Sequence, residues 1–270
     1  MLAHDPEARV LAGGQTLMPM LAMRLSRPSM LVDITRLDEL RGIDVASDGV
    51  AVGAATVQAH ALRSSDIASE VPLLAKALPN VGHPPTRARG TIGGSIAHGD
   101  PSAEIALVAA LLQAEIVFRE GDNDVSFKAE EFFIGPMVTM APMGGCLTRV
   151  VFPKRPEGRV GTGFQEVASR RSDYAFASAA AQVVLDDDGE CLSLCIGVGS
   201  VGDFPVRCDV DAAGSRLTDD EVRGIVEDAL TDLETVEDLH ATAAYRRRAA
   251  AELARRVVRE ARDEALEGSK

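Results

Sequence analysis

The chain has 270 residues, of which 46% are hydrophobic and 26% charged, a balance typical of a globular protein with room for two modest domains. Its formal net charge of −13 argues against general binding to nucleic acid or to an anionic membrane surface. The sequence contains no apolar run of about 18 residues and no signal-peptide pattern, so we expect a cytoplasmic protein without a membrane span.

The first motif in chain order is V-L-A-G-G-Q-T-L-M-P over residues 10–19, which we call the first glycine loop. Gly13 and Gly14 permit positive φ and a close approach of backbone N–H groups to a ligand. Successive N–H groups in such a turn can form a nest that binds a phosphate, with Gln15 and Thr16 as side-chain donors. An ordinary turn is the alternative, because a glycine pair followed by polar residues also occurs in turns without a ligand.

Short strands and helices are predicted after this loop. Residues 17–25 are apolar enough for a short helix or a packed loop, and residues 31–34 and 50–53 have the composition of strands. Thr56 is the expected N-cap of a helix over residues 57–63. This alternation predicts small β/α units in the N-terminal half.

A second motif, R-G-T-I-G-G-S-I-A-H-G-D-P-S-A-E, occupies residues 89–104 and is called the second glycine loop. It has a glycine pair at residues 93 and 94 between residues with hydroxyl side chains. As in the first loop, the absence of a Cβ at both glycines lets a ligand approach the backbone closely. Both loops lead into a packed element, and together they could hold one elongated ligand that contains a pyrophosphate. Two unrelated turns are the alternative that the pattern leaves open.

Polar side chains follow the second glycine pair. His98 is either a functional group beside a ligand or a structural hydrogen-bonding residue. Glu104 either faces a ligand or stabilises the positive end of a helix dipole, because it falls in the first turn of a predicted apolar helix. Ser102 is the expected N-cap of that helix, and Asp100 is a further polar residue beside the loop.

The cysteines indicate neither a metal site nor a disulfide. They are Cys146, Cys191, Cys195 and Cys208, and no two of them form a CxxC pair. Cys191 and Cys195 lie in one predicted strand, about 13 Å apart at ~3.3 Å per residue, which is too far for a disulfide. We interpret the cysteines as structural thiols and predict no metal ligands.

The C-terminal part has the pattern of a hairpin followed by helices. Residues 181–185 and 192–198 are predicted strands on either side of a turn-rich connection. Thr218 and Glu221 form a predicted capping box ahead of an amphipathic helix. A long final helix follows, and we expect the arginines at 246–248 to lie on its exposed side.

Four stretches, in the right order, resemble the FAD-binding medium subunits of the molybdenum hydroxylases. They are L-A-G-G-Q-T-L-M-P over 11–19, T-I-G-G-S-I-A-H-G-D-P over 91–101, G-F-Q-E-V-A-S-R-R-S-D-Y-A over 163–175, and residues 238–257. This family includes carbon monoxide dehydrogenase, the separate-subunit bacterial xanthine dehydrogenases, and nicotine and caffeine dehydrogenases. The resemblance covers nearly the whole chain.

The resemblance implies an α+β fold with three parts. Residues 1–55 and 56–155 would be two small α/β subdomains that together form an FAD-binding domain of the PCMH type. Residues 160–270 would be an antiparallel sheet with helices, similar to the C-terminal domain of carbon monoxide dehydrogenase flavoproteins. Because relatives usually begin with a further strand and helix, we expect the first subdomain to be shortened at its N-terminus.

The resemblance also implies the residues that bind FAD. In the first glycine loop they are Leu11, Ala12, Gly13, Gly14, Gln15, Thr16, Leu17 and Met18, which would surround the pyrophosphate. Elsewhere they are Thr91, Gly94, Ser95, His98, Glu104, Leu147 and Tyr174. Glu104 would accept a hydrogen bond from a hydroxyl, and Tyr174 would lie near the isoalloxazine unless it is a core residue. Glu166 stands where many relatives carry a lysine near the flavin, and the loss of that cation would make the anionic reduced flavin less favourable.

The implied function is electron transfer without catalytic residues in this chain. A large subunit with the molybdenum cofactor would oxidise the substrate, and a small [2Fe–2S] subunit would pass electrons to the FAD, which would reduce NAD⁺, a quinone or oxygen. The expected assembly is a heterotrimer or its dimer. Two alternatives are a free-standing flavin oxidoreductase, for which His98 is the one acid–base candidate, and an assembly module that binds no flavin.

Overall fold

The computed structural model describes residues 2–268 and combines helices with mainly antiparallel strands, which confirms the predicted α+β class. The N-terminal half contains a two-stranded parallel unit, a five-stranded antiparallel sheet and a small hairpin. The C-terminal half contains one four-stranded antiparallel sheet. Among the described residues, no helix is both long and apolar enough to cross a membrane.

The parallel unit contains the first glycine loop. Strand β1 (Arg9–Leu11) leads into the loop, helix α1 (Leu17–Ala22) follows it, and β2 (Leu31–Asp33) returns parallel to β1. Single 3-10 turns lie at Leu2–His4 and Asp38–Leu40. The strand predicted near 31–34 is confirmed, and the predicted helix at 17–25 is confirmed over its first six residues.

The other strands of the N-terminal half centre on one antiparallel sheet. They are β3 (Ile43–Val45), β4 (Val50–Gly53), β5 (Glu115–Glu120), β6 (Asn123–Lys128), β7 (Phe133–Gly135), β8 (Val138–Thr139) and β9 (Cys146–Phe152). The sheet has the order β3-β4-β9-β5-β6, and β7 pairs with β8 as a separate hairpin. Val50 and Val52 on β4 and Val150 and Phe152 on β9 are fully buried, because alternate residues of a strand face the same side.

Short helices connect and cover these strands. They are α2 (Gln58–Ala61), α3 (Ser65–Glu70), α4 (Pro72–Ala77), α5 (Pro84–Arg87), α6 (Ile92–His98), α7 (Glu104–Leu111) and α8 (Ala129–Phe132). Their apolar residues form one core with the central sheet.

Two of the predicted N-caps are wrong. Val57 precedes α2, and the hydroxyl of Thr56 instead accepts from the N–H of Gly42 and donates to its carbonyl, so it serves a neighbouring loop. Ala103 precedes α7 and makes no side-chain cap. Ser102 lies one residue further out, in a turn where its N–H donates to the carboxylate of residue 100.

The C-terminal half is a four-stranded meander covered by two helices. Its elements are β10 (Arg159–Ala168), β11 (Ala175–Leu185), β12 (Cys191–Gly199), β13 (Val206–Asp209), α9 (Asp219–Ala229) and α10 (Ala243–Glu267). Helix α10 lies close to β10 because Gly163 has no side chain: a Cβ there would be 2.9 Å from the Cα of Val257. The predicted hairpin and the capping box of Thr218 and Glu221 are both confirmed.

Helix α7 belongs to the N-terminal half and packs against the C-terminal half. Every residue after Glu104 in this helix is buried, as expected for a helix that is apolar on all sides. It shares one core with the central sheet, and it packs against β12, where a Cβ on Gly197 would be 3.0 Å from Leu107. Phe164 of β10 belongs to the same core as α7. The first residue of α7 therefore lies where the two halves meet.

The predicted exposure of the arginines at 246–248 is wrong for Arg246. Its side chain is buried and donates to the carbonyls of Phe176 and Ser200 and to the carboxylate of Asp238. The side chain of Arg246 thus links helix α10 to strand ends and to a loop. Arg248 is exposed, as predicted.

Candidate functional site

Both glycine loops face one cavity of about 820 Å³, between the parallel unit, the central sheet and the turn before β11. This volume is within the range of about 300–1,000 Å³ that small-molecule sites have. The lining includes every residue predicted to bind the cofactor except Leu11 and Met18: Ala12, Gly13, Gly14, Gln15, Thr16, Leu17, Thr91, Gly94, Ser95, His98, Glu104, Leu147 and Tyr174.

Leu11 and Met18 of the first glycine loop do not line the cavity. Gly14 has a φ of +70°, which favours glycine, and a Cβ there would be 3.0 Å from Cγ of Met18 and 3.4 Å from Cδ1 of Leu11. The two apolar side chains therefore lie close to Gly14 of the first glycine loop.

The first glycine loop presents unpaired backbone donors. Within residues 2–268, the N–H groups of Gly13, Gly14, Gln15 and Thr16 have no hydrogen-bond partner. The side chain of Gln15 folds back, and its Nε2 donates to the carbonyl of Gly13 at 3.2 Å. Consecutive free N–H groups at the edge of a cavity form the nest that suits an anion.

The second glycine loop differs because its first helical N–H groups are already paired. Thr91 caps α6, and its Oγ1 accepts from the N–H of Gly94 at 2.9 Å. The N–H groups of Ile92, Gly93 and Ser95 donate to backbone carbonyls. Gly93 and Gly94 both line the cavity, and a Cβ on Gly93 would be 2.6 Å from the Cα of Ala54. This loop therefore offers space and hydroxyl groups, and the free amides belong to the first loop.

Acidic side chains outnumber basic ones around the cavity. Among its described lining residues, Arg9 is the one arginine or lysine, and its Nη1 donates to the carbonyls of Pro6 and Ala8. The lining carboxyl groups are those of Asp5, Asp100, Glu104 and Asp173. An anion in this cavity would depend on backbone amides more than on side-chain cations.

Several titratable groups have raised pKa values where the two halves of the chain meet. Burial raises the pKa of Glu104 to about 8, with further increases from Glu166 and Asp100. Burial raises the pKa of Glu166 to about 7. The pKa of Tyr174 is raised by burial and then by Asp100, Glu104 and Asp173. Tyr174 is 71% exposed, so the alternative of a core residue is wrong.

Sequence reasoning missed two groups of lining residues. One is the start of the chain, including Leu2 and Asp5, and the other is the segment from Met137 to Gly145. A Cβ on Gly144, which has a φ of +81°, would be 3.0 Å from the Cα of Ala3, so the two groups are in contact. The pair of glycines at 144 and 145 was the signal that could have indicated this wall. No group of three metal-ligating side chains occurs within residues 2–268.

Comparison with known proteins gives consistent matches over the whole chain. The family described as the FAD binding domain in molybdopterin dehydrogenase matches residues 1–155, and the CO dehydrogenase flavoprotein C-terminal domain matches residues 162–261. The nicotine 6-hydroxylase medium subunit of Paenarthrobacter nicotinovorans is 33% identical over 97% of this chain and 92% of its own length.

Two further relatives agree. The carbon monoxide dehydrogenase medium chain of Hydrogenophaga pseudoflava is 30% identical over 93% of this chain and 88% of its own length. In the crystal structure of quinoline 2-oxidoreductase from Pseudomonas putida 86, one chain superposes with a TM-score of 0.92 and 33% identity, covering 98% of this chain and 93% of that one.

Proposed function

Because the chain belongs to the family of the FAD-binding medium subunits of the molybdenum hydroxylases, we propose that it transfers electrons from a [2Fe–2S] partner through FAD to an acceptor such as NAD⁺, a quinone or oxygen. FAD is the cofactor of this family, and the relatives are named as subunits of oxidoreductases. When bound, FAD supplies the exchange of electrons singly or in pairs, and the chain supplies its position and electrostatic environment.

The observation that carries the proposal is the row of four unpaired N–H groups at residues 13–16 beside a cavity of about 820 Å³. A pyrophosphate is a dianion that needs such donors, and no lysine lines the cavity among the described residues. Buried or cavity-lining N–H groups without a partner are unfavourable unless a ligand or water satisfies them. The residues present therefore fit FAD.

The remaining lining residues have complementary roles in this proposal. Gly94 leaves room for the pyrophosphate, and the hydroxyls of Thr91 and Ser95 face the same space. Leu147 and Tyr174 would contact the isoalloxazine, since the one is buried and apolar and the other is an exposed aromatic ring at the meeting of the two halves. His98 would be a further contact.

The proposed partners are a large subunit that holds the molybdenum cofactor and a small [2Fe–2S] subunit, in a heterotrimer or its dimer. Two of the relatives are named as a medium subunit and a medium chain, which supports a place between a larger and a smaller partner. In this proposal the chain is cytoplasmic, residues 1–55 and 56–155 hold FAD, and residues 160–270 form the third part.

The test is the visible absorption spectrum of the purified chain, alone and co-expressed with its genomic neighbours. We expect flavin bands in at least the co-expressed preparation, together with co-purified iron and molybdenum. Gly94→Val should remove the flavin bands, because its side chain would occupy the cavity, while a folded C-terminal half is retained. A folded but colourless chain in both preparations would contradict the proposal.

A further inference from the structure

The carboxyl group of Glu104, which lines the cavity, accepts no hydrogen bond from another residue. Within residues 2–268, no other residue donates a hydrogen bond to its carboxyl group or forms an ion pair with it. Its own backbone N–H, in the first turn of α7, is the one group that favours the ionised form by hydrogen bonding. A carboxylate in such surroundings is costly, because buried charges normally have paired hydrogen-bonding partners.

Glu166 approaches from the other half of the chain. It lies on β10 two residues after Phe164, which packs in the core shared with α7, so both side chains face the N-terminal half. The alternate residues Gly163 and Gln165 face α10, where Gln165 donates to a glutamate of that helix. The carboxyl group of Glu166 thus comes near enough to that of Glu104 to disfavour its ionisation.

The other charged groups around Glu104 do not offset the unfavourable effect of Glu166 on its ionisation. Asp100, in the turn before α7, adds a third carboxyl group that disfavours the ionised form. Arg87 of α5 is the one cation that favours it, and its Nη1 donates to three backbone carbonyls in the segment 79–82. His83, His98, Asp173 and Tyr174 are further titratable groups that line the cavity.

The consequence is that the neutral form of Glu104 is favoured. Burial raises the pKa of both carboxyl groups, and a charge on Glu166 opposes the ionisation of Glu104 further. At neutral pH the carboxyl group of Glu104 keeps its proton and has an O–H donor that faces the cavity.

We propose that Glu104 meets the cofactor as a neutral carboxylic acid that donates a hydrogen bond to it, and that Glu166 is a positioning residue that adds to the effect of burial in keeping it neutral. The inference rests on the proposed binding of FAD, whose carbonyl groups, ring nitrogens and hydroxyl oxygens can all accept such a bond. It reverses the role that the resemblance implies, in which Glu104 accepts a hydrogen bond.

The test is the dissociation constant of FAD for the full-length chain, measured by flavin fluorescence between pH 6 and 9. The variants are Glu104→Gln, a neutral donor of the same size, Glu104→Ala, which has no donor, and Glu166→Gln. Glu157→Gln at an exposed position is the matched control for loss of one negative charge.

Four results are expected. Wild-type affinity is constant up to about pH 7 and then falls, approaching tenfold per pH unit once Glu104 ionises. Glu104→Gln stays within about threefold of the wild-type value at pH 6 and has no alkaline fall, and Glu104→Ala is about 5- to 30-fold weaker at pH 6. In Glu166→Gln the fall begins at a lower pH, because the opposing charge is absent. Glu157→Gln follows the wild type.

Opposite results overturn the inference. Wild-type affinity that rises from pH 6 to 9, with weak binding by Glu104→Gln throughout, would mean that Glu104 accepts as a carboxylate. A flat wild-type profile with both Glu104 variants unchanged would remove any role in binding, and an unshifted fall in Glu166→Gln would remove the role of Glu166. If the wild type binds no FAD at any pH, either alone or co-expressed with its genomic neighbours, the proposed function fails as well, whereas FAD binding with the wrong profile in either preparation overturns this inference alone.

Discussion

Gly13 and Gly90 are in direct contact at the point where the two glycine loops meet. A Cβ on Gly13 would be 2.7 Å from the Cα of Gly90 and would also clash with the carbonyl oxygen of Arg89. These are backbone atoms, which cannot move aside as the end of a flexible side chain can. The nest at residues 13–16 therefore keeps its position relative to the second loop only with glycine at residue 13.

The first prediction is that Gly13→Ala separates the two loops. We expect loss of at least tenfold in FAD affinity and a decrease of about 1–3 kcal/mol in the free energy of unfolding, the usual cost of overpacking a tight contact. Flavin absorbance and urea unfolding measure the two effects. The control is Gly224→Ala in α9, where a Cβ meets nothing within 4 Å, and which should stabilise the chain by about 0.5–1 kcal/mol. If Gly13→Ala retained its full flavin content, the contact between the two loops would not be needed for FAD binding.

The second prediction concerns stability against pH in the FAD-free chain. The pKa of Glu104 is about 8 when folded, against about 4.3 in an unfolded chain, so between these values the folded state binds more protons and its stability falls as pH rises. We expect a loss of the order of 2 kcal/mol between pH 5 and 8, which is less than the full shift because the side chain is only half-buried. Urea unfolding at several pH values measures it.

Glu104→Gln is the variant that isolates this contribution. It should reduce the decline with pH, whereas the exposed Glu157→Gln should leave it unchanged. Parallel pH profiles for the wild type and Glu104→Gln would show that other groups cause the decline.

The third prediction is that Arg246 is essential for the stability of the C-terminal half. Replacement by methionine keeps much of the volume but leaves the carbonyls of Phe176 and Ser200 and the carboxylate of Asp238 without their donor. We expect a loss of about 2–4 kcal/mol, since removal of one partner from a buried ionic network is strongly destabilising. Arg248→Met, on the exposed side of the same helix, should change the free energy of unfolding by less than about 0.5 kcal/mol. Equal losses for the two variants would show that the hydrogen bonds of Arg246 do not stabilise the C-terminal half as predicted.

The fourth prediction concerns Lys76, which joins the two halves. Its Nζ donates to the carbonyl of Thr162 at 2.5 Å and lies 3.3 Å from Glu260 and 3.0 Å from Glu264. Because these groups are partly exposed, we expect Lys76→Met to cost about 1–2 kcal/mol, measured by thermal unfolding. The exposed Lys128→Met should have no comparable effect. An unchanged midpoint for Lys76→Met would indicate that other contacts hold the halves together.

Much of the local structure follows from the sequence because its signals act over a few residues. The capping box at Thr218 and Glu221 needs only the first turn of a helix, and the hairpin of β11 and β12 needs only alternating strands with a turn between them. Thr56 and Ser102 show the limit of this reasoning. Each has the right residue type for an N-cap, but the structure uses Thr56 to bind Gly42 and starts α7 one residue beyond the position that Ser102 could cap.

The sequence by itself determined the two glycine loops, because a glycine pair is a property of neighbouring residues, and its resemblance to a known family indicated that family and the α+β class. Only the tertiary structure decided that the free amides belong to the first loop, that Arg246 is buried, and that Glu104 lies near Glu166. Each depends on residues far apart in the chain, whose side chains are oriented by the packing of α7 and α10 against both halves. A carboxyl group shows its charge in the sequence, but its protonation depends on the burial and neighbouring charges that folding creates.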